Sequence, residues 1–482
     1  MPDLILPIDE HTSAVIRRLA DFLSERIIQA YLVGGYVRNV LLNRYTQDID
    51  IALSGDATVT AKEIAMLFGG KFVLLDDINK VARVVMPELY LDFSTIKNDI
   101  EDDLKRRDFT INAMAQDLNQ LTEHKTIIDP CNGQSDIRQK TIKATSDDVF
   151  RQDPVRLMRA IRLAAELNFD IDDKTQTLIK RDAHLVANVA GERICDEFCA
   201  AMATDQAYSM LRLMDDLGLI APLLPELDAC KGVEQPKEHS WDVFDHSIET
   251  VTAVDKLFAN IRTQQNGLSE IPWTDELAYH FSEQISSGHL RMTILKIAAL
   301  LHDIGKPSTK SIQENGRMRF LGHSSQSAKI AKSIMTRLRF SVKEIKTAQR
   351  IIEQHMRPTQ LSNNWEMPTR RAIYRFYRDT EDDAFDILLL SLADHLAARG
   401  PLLEKEHWSY HIALIKYVML KHSQEQDVVK PTKLIDGNDL IKLGVKPGPE
   451  IGMILETVRE AQATGEIATK DDAINLAKRL FN

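Results

Sequence analysis

The stretch "YLVGGYVRNVLLNRYTQDIDIAL", residues 31–53, decides how the first part of this chain folds. Tyr31, Leu32 and Val33 form an apolar run of strand length that stops at Gly34-Gly35. Glycine tolerates positive φ and lets another backbone or a ligand approach closely. Val37, Val40, Leu41 and Leu42 then recur at helical spacing, with Asn43 as a C-terminal breaker, so a short helix starts at the glycines. Its free N–H groups suit an anion such as a phosphate. Beyond the turn, Asp48-Ile49-Asp50-Ile51-Ala52-Leu53 alternates as a strand does, which puts Asp48 and Asp50 on one face and sends Ile49 and Ile51 to the core. Two adjacent carboxylates repel unless a cation lies between them, and all-oxygen donors suit Mg²⁺ completed by substrate phosphates and water. Each feature alone is usually structural, a turn or a solvated strand face. In this order and spacing they form the layout of phosphoryl or nucleotidyl transfer.

The rest of the chain sets bounds. Its 482 residues are 44% hydrophobic and 27% charged, as in ordinary globular proteins, and roughly three or four domains are expected at this length. A net charge of −11 argues against a general polyanion binder, so nucleic-acid contacts fall to local basic patches: "KRRDF" at 105–109, "RLMRAIR" at 156–162 and "RLRFSVKEIKTAQR" at 337–350. The start, "MPDLILPIDEHTS", has neither the basic head nor the long apolar core of a secretory signal. No apolar run reaches membrane-spanning length, and a cytoplasmic location is expected. Cys131, Cys195, Cys199 and Cys230 fit no zinc spacing, and Cys195 and Cys199, four apart on a helix, read as packed thiols. Residues 1 to about 145 mix strands ("KFVLL", "ARVVM", "LYLDFS") with helices ("AKEIAMLFG"), and from about 148 the pattern is almost wholly helical. "KGVEQPKEHSW" reads as a linker.

Two further constellations accompany the first. In "LKRRDFTINAMA", 104–115, Arg106 and Arg107 can neutralise triphosphate and Asp108 can accept a ribose hydroxyl, although an isolated RRD is ordinarily a surface ion cluster. Asp92, in the strand-like "LYLDFS", is a candidate third carboxylate that deprotonates a hydroxyl or completes a metal site. In "RQDPVRLMRAIR", 151–162, Pro154 suits a first helical turn with Asp153 ahead of it as cap. Asp153 and Arg156, three apart, are either a capping ion pair or an acceptor and a two-pronged donor that read a base edge.

"LVGGYVRNVLLNRYTQDIDI", "RRDFTINAMA", "DPCNGQSDI", "QDPVRLMRAIRLAAELNF" and "GERICDEF" together, in this order, resemble the class II tRNA nucleotidyltransferase and poly(A) polymerase family. The resemblance covers about residues 28–230 and resumes in the tail from "LIDGNDL". It implies an α+β polymerase-β-like nucleotidyltransferase head (1–145), followed by an all-α neck that binds RNA (146–235), an HD-type helical domain (236–425) and a helical tail (426–482). It implies that Asp48 and Asp50 hold catalytic Mg²⁺, that Gly34, Gly35 and Arg38 handle the triphosphate, and that Arg107 and Asp108 lie near the ribose. Asp153 and Arg156 become the protein template that selects C or A, Arg159 joins the nucleotide-binding set, and the Glu192-Arg193 helix supports the neck. The chain departs from the family pattern at Asn39, usually Asp, and at Gln152, often Glu. It also lacks the flexible loop, rich in Arg, Gly and Tyr, that full CCA-adding members usually carry before RRDFT; "NDIEDD" reads instead as a helix start.

Downstream, His246, His302-Asp303, His323, His355 and Asp394 stand on separate helical segments. Imidazole plus carboxylate suits Mn²⁺, Ni²⁺, Fe²⁺ or Zn²⁺, and the set resembles the ligands of the HD phosphohydrolase superfamily. The alternative is a vestigial domain that supports RNA. The expected activity is addition of CMP and AMP from CTP and ATP to the tRNA 3′ end, for all of CCA or only CC, with no obligate protein partner evident. Poly(A) polymerase, or phosphohydrolase action as the main business, are the alternatives.

Overall fold

A computed structural model describes residues 9–118, 126–237, 239–263, 274–286, 288–361 and 365–481. Most of the N-terminal stretch read as lacking a secretory signal, and one position of the expected linker, lie outside the described residues. The chain separates into two compact units: Met1–Val189 with Asp216–Pro222, and Ala190–Asp215 with Leu223–Asn482.

The first unit opens with helix α1 (Glu10–Glu25), capped by the Asp9 side chain, which accepts from Thr12 N at 2.8 Å. Strand β1 (Ala30–Val33) is wholly buried, and helix α2 (Gly34–Leu41) follows it without a linker. Gly34 has φ +66°, the left-handed conformation that turns a strand into a helix in one residue. Strand β2 (Asp48–Leu53) leads into helix α3 (Ala57–Phe68), capped by Asp56 and ended by Gly69 at φ +66°. Strands β3 (Lys71–Asp76), β4 (Val81–Val85) and β5 (Tyr90–Thr95) follow, then helix α4 (Ile100–Lys105), β6 (Ala115–Asp117) and β7 (Ile127–Ile128). The sheet order is β3-β4-β5-β2-β1-β6-β7. Every pairing is antiparallel except β2 with β5, which run parallel with Asp50 opposite Asp92.

Alternation fixes which face is which. Ile49 and Ile51 of β2, Leu91 and Phe93 of β5, and Ala82 and Val84 of β4 are all fully buried, and α3 packs against β3, β4 and β5. A one-residue slip of β2 would expose two isoleucines, costing about 1.5–3 kcal/mol each, and drive both aspartates into the core. The register, and with it the position of the carboxylates, is therefore set by the apolar residues between them.

Helix α5 (Gly133–Gln139) and a two-residue parallel ribbon, β8 (Thr141–Ile142) with β9 (Asp170–Ile171), connect the sheet to helices α6 (Val149–Gln152), α7 (Arg156–Leu167) and α8 (Asp173–Asp182). The helical part is also interrupted by two short antiparallel pairs, Gln284–Ser286 with His289–Leu290 and Lys310–Ile312 with Met318–Phe320. The second turns at Asn315-Gly316, with Gly316 at φ +77°, a hairpin signal that a helical reading of the region passes over.

The second unit begins with helix α9 (Gly191–Met202). Its largest assembly packs helix Val243–Thr263 on helices Arg291–Leu301 and Ala384–Arg399, with His323–Arg337 against Val342–Gln354. Near the C-terminus, Ile435, Leu440, Val445, Ile454, Val458, Ala473 and Ala477 form a small core of their own.

Candidate functional site

Asp48 and Asp50 share the face of β2 opposite the core, as alternation requires, and the parallel neighbour brings Asp92 beside Asp50. Gly35 N donates to Asp50 Oδ2 at 3.0 Å, so the first turn of α2 and the carboxylate pair are joined directly. The space above Gly34 is tight: a Cβ there would lie 2.8 Å from Arg107 Nη1 and 3.0 Å from Asp50 Oδ2. Any side chain at Gly34 would push the arginine and the carboxylate apart, which is the physical reason for glycine here.

Burial pushes the carboxyls of Asp48 and Asp50 up. Arg83 opposes this at Asp48 and Arg107 at Asp50, while Asp92 adds to the rise at both. A group of carboxylates held in this way gains most from a cation, and their all-oxygen donors fit Mg²⁺. Asp92 is also held from the other side. Arg83, its cross-strand partner on β4, grips it with two hydrogen bonds of 2.7 Å, from Nε to Oδ1 and from Nη2 to Oδ2. Sequence reading missed Arg83. Its signal was the alternation of "VARVV", which puts Arg83 on the face opposite Ala82 and Val84.

A cavity of about 500 Å³ opens over these groups. Gly34, Gly35, Arg38, Asp48, Asp50, Asp92, Arg107, Asp108, Arg156 and Arg159 all line it, together with Tyr36, Arg83, Asn112 and Arg162, which the sequence reading did not single out. Arg38 is 8% exposed and donates to two neutral amides, Asn112 Oδ1 at 2.6 Å and Asn39 Oδ1 at 3.0 and 3.2 Å. Burial, aided by Arg162, lowers its pKa to about 10. The family's usual Asp in place of Asn39 would neutralise this guanidinium; with Asn39 its charge is left for an anionic ligand. Arg107 donates to Asp103 Oδ2 at 3.3 Å, and its Nε is buried with no hydrogen-bond partner among the described residues. Burial would raise the carboxyl of Asp108, but Arg159 at 3.3 Å, Asn112 and Phe109 N outweigh it and hold Asp108 below the usual carboxylate range.

Asp153 and Arg156 stand differently from the reading of Asp153 as a helix cap. Pro154 and Val155 form a turn and α7 starts at Arg156, two residues later than expected from Pro154. The Asp153 carbonyl accepts from Arg156 N at 3.1 Å. Arg156 Nη2 donates to the Arg106 carbonyl at 3.4 Å, which ties it to the RRD segment. Arg156 lines the cavity, whereas Asp153 does not and sits half-buried in the turn before it. Arg156, Arg159 and Arg162 recur every three residues of α7, a helical stripe that was legible in the sequence.

The second unit gathers all six residues of the HD-type set. His246 Nε2 lies 3.2 Å from His302 Nε2, 3.3 Å from Asp303 Oδ2 and 3.0 Å from Asp394 Oδ1. Asp303 Oδ1 is 3.3 Å from His323 Nε2 and 3.9 Å from His355 Nε2. In three of the histidines, Nδ1 donates to the backbone carbonyl three residues earlier: His302 to Ala299 at 2.8 Å, His323 to Phe320 at 2.8 Å and His355 to Ile352 at 2.6 Å. Each bond fixes the tautomer and leaves the inward Nε2 with its lone pair, as a metal ligand needs. Burial alone would lower the pKa of His302, yet Asp303 and Asp394 push it up to about 10, whereas burial holds His355 down at about 4. Asp303, buried, and Asp394, half-buried, thus demand positive charge at this point, and the N/O donor set fits a divalent transition metal. A cavity of about 730 Å³ adjoins the cluster, with Lys306, Arg317, Arg319, Arg357 and Arg399 on its walls. Sequence reading missed Lys306, whose Nζ is 2.5 Å from Asp303 Oδ2, although its place three residues after Asp303 was the available signal.

No helix among the described residues is long and apolar enough to cross a membrane. Comparison with known proteins bears on the family. Residues 30–98 and 77–143 match the poly A polymerase head domain, 168–231 match a probable RNA and SrmB-binding site of polymerase A, and 243–399 match the HD domain. The A-adding tRNA nucleotidyltransferase of Deinococcus radiodurans is 32% identical over 458 residues, 93% of this chain and 95% of that protein. The CC-adding tRNA nucleotidyltransferase of Thermus thermophilus is 30% identical over 451 residues, 92% of each. The fold is shared with the Thermotoga maritima CCA-adding enzyme complexed with tRNA (TM-score 0.61, 22% identity, 99% of this chain and 98% of that one). It is shared as well with a CCA-adding enzyme in complex with CTP (TM-score 0.65, 22% identity, the same coverage). Nearly full-length similarity to enzymes of one kind settles the family: the chain belongs to the tRNA nucleotidyltransferases and is an enzyme of that type.

Proposed function

We propose that this enzyme adds C residues from CTP to the 3′ end of tRNA, stopping at CC, without an obligate protein partner and in the cytoplasm, where its free cysteines are at home. The 3′ hydroxyl of the primer attacks the α-phosphorus of CTP, a new P–O bond forms, the bond to the β-phosphate bridge breaks, and pyrophosphate leaves. Asp48 and Asp50 are the residues that would hold Mg²⁺, which when bound polarises the α-phosphate and favours ionisation of the hydroxyl. We assign Asp92 as acceptor of the hydroxyl proton; its register opposite Asp50 supports the assignment, and Arg83 orients it. Arg38 and Arg107 neutralise the triphosphate beside the Gly34-Gly35 turn, and Asp108, held ionised by Arg159, accepts from the ribose. The division into head, neck, HD-type domain and tail (1–145, 146–235, 236–425, 426–482) is our functional partition of the chain. For the HD-type cluster we propose a bound divalent transition metal. Poly(A) polymerase, or hydrolysis as the main activity, is not favoured, since the relatives that span the chain are tRNA nucleotidyltransferases.

The restriction to part of the end rests on one observation, which a dedicated A-adding enzyme or poly(A) polymerase would share. Between β5 and α4 there are four residues, Ile96–Asp99, and Asp99 caps α4 by accepting from Asp102 N at 2.8 Å. The expected helix start at "NDIEDD" is thus present, and this connection has no room for a mobile loop that re-aims a template between C and A. tRNA lacking all three terminal nucleotides, given both CTP and ATP, should stop at CC. Completion to CCA by this protein alone would refute the restriction, and addition of A only to tRNA already ending in CC would identify an A-adding enzyme instead.

A second expectation concerns Asp153 and Arg156. If they read the base edge, Asp153→Ala or Arg156→Ala should lose discrimination of about 1–3 kcal/mol. UTP or GTP would become usable while the rate with CTP falls less. Equal loss with every nucleotide would make the pair structural.

A further inference from the structure

We propose that Cys195, Cys199 and His289 form a zinc site that fastens helix α9 to the segments packed beside it in the second unit. The linear sequence hides it, because the histidine lies far from the cysteines and no short ligand motif connects them. In the fold, α9 presents Cys195 and Cys199 one turn apart on the same side, 4% and 2% exposed, with their sulfurs 3.8 Å apart. Two thiolates on one tetrahedral zinc, each about 2.3 Å from the metal, stand about 3.7–3.8 Å from each other. A disulfide would need about 2.05 Å.

His289 completes the set from the short strand His289–Leu290: one ligand atom of each of the three residues lies within 4.8 Å of the others. Its Nδ1 bonds Glu344 Oε1 at 2.9 Å, which leaves Nε2 as the nitrogen available to ligate. Glu344 is fully buried and is itself fixed, because its Oε2 accepts from Ser341 N at 2.8 Å in the capping box of helix Val342–Gln354. A buried carboxylate that orients the imidazole of a metal ligand is the usual outer support of a zinc site. Two soft thiolates with one imidazole select zinc over hard cations and leave a fourth position for water. The site would join three pieces of chain: α9, His289 and the start of helix Val342–Gln354.

The HD-type cluster complicates metal counting, so the test reads sulfur ligation directly. Full-length protein without an affinity tag is loaded with Co²⁺. Thiolate ligands give a near-ultraviolet sulfur-to-cobalt charge-transfer band, whereas the nitrogen and oxygen donors of the HD-type cluster give none. Wild-type protein should show the band and lose it on addition of Zn²⁺. Cys195→Ser/Cys199→Ser should abolish it and remove one zinc per chain in elemental analysis, with nucleotide addition retained. Absence of the band in wild-type protein, or its persistence in the double variant, would overturn the proposal. The wild-type measurement decides even if the variant fails to fold.

Discussion

Asp50→Ala will lose nucleotide addition by about 10³-fold or more, the several kcal/mol that a bound metal supplies to such a transition state, and Asp48→Ala will behave likewise. Both carboxylates project from β2 on the face opposite Ile49 and Ile51, so the apolar side that holds the strand is untouched and the fold survives. The physical sign can be checked independently of activity. Burial pushes both carboxyls above the ordinary range, so in metal-free buffer at neutral pH their charges cost stability. This contribution is favourable below the unfolded pKa and is lost as pH rises through the folded one. Asp50→Asn in metal-free buffer at neutral pH should therefore melt above the wild type while being inactive. Incorporation of labelled CTP and thermal melts measure the two effects, and addition near the wild-type rate in either alanine variant would remove these residues from the centre.

The second large effect is expected at Asp303. It is 1% exposed and lies within 3.3 Å of His246, His302 and His323, and closer still to Lys306. Asp303→Ala leaves a buried ammonium without its carboxylate, a change that costs about 3–5 kcal/mol, and deprives any metal of a central ligand. Thermal unfolding should shift down strongly and bound transition metal should vanish from the HD-type cluster, while protein that remains folded still adds nucleotides. Lys306→Met in the Asp303→Ala background should recover part of the stability, because it removes the orphaned charge. Absence of transition metal from carefully purified wild-type protein would argue for the vestigial reading of this cluster.

How far the sequence carried these assignments follows from the range of the interactions. The turn at Gly34 and the shared face of Asp48 and Asp50 depend on neighbours a few residues away, and periodicity reveals such features. The helix start at Asp99 and the strands around "KFVLL", "ARVVM" and "LYLDFS" were legible for the same reason. Arg83 and Asn112 were not singled out, because what gives them a role is a partner across a strand pair or on another element: Asp92 for Arg83 and Arg38 for Asn112. The offset at Pro154 arose from the local competition between a turn and a helical first residue, where element boundaries are least determined. His289 is the extreme case. Its proximity to Cys195 and Cys199 is created wholly by the packing of α9, and no spacing rule reaches that far.

The parallel pairing of β2 with β5 also has a consequence for the order in which the molecule comes into being. β2 and β5 meet only after the 36 intervening residues, 54–89, have closed into α3, β3 and β4, and closure of such a loop costs entropy before contact rewards it. Asp50 and Asp92 face each other across this pair. A chain emerging from the ribosome thus carries its glycine turn and first two carboxylates well before the third can join them. The group of three carboxylates is therefore completed only when β5 docks beside β2, so its assembly reports on that one strand pairing.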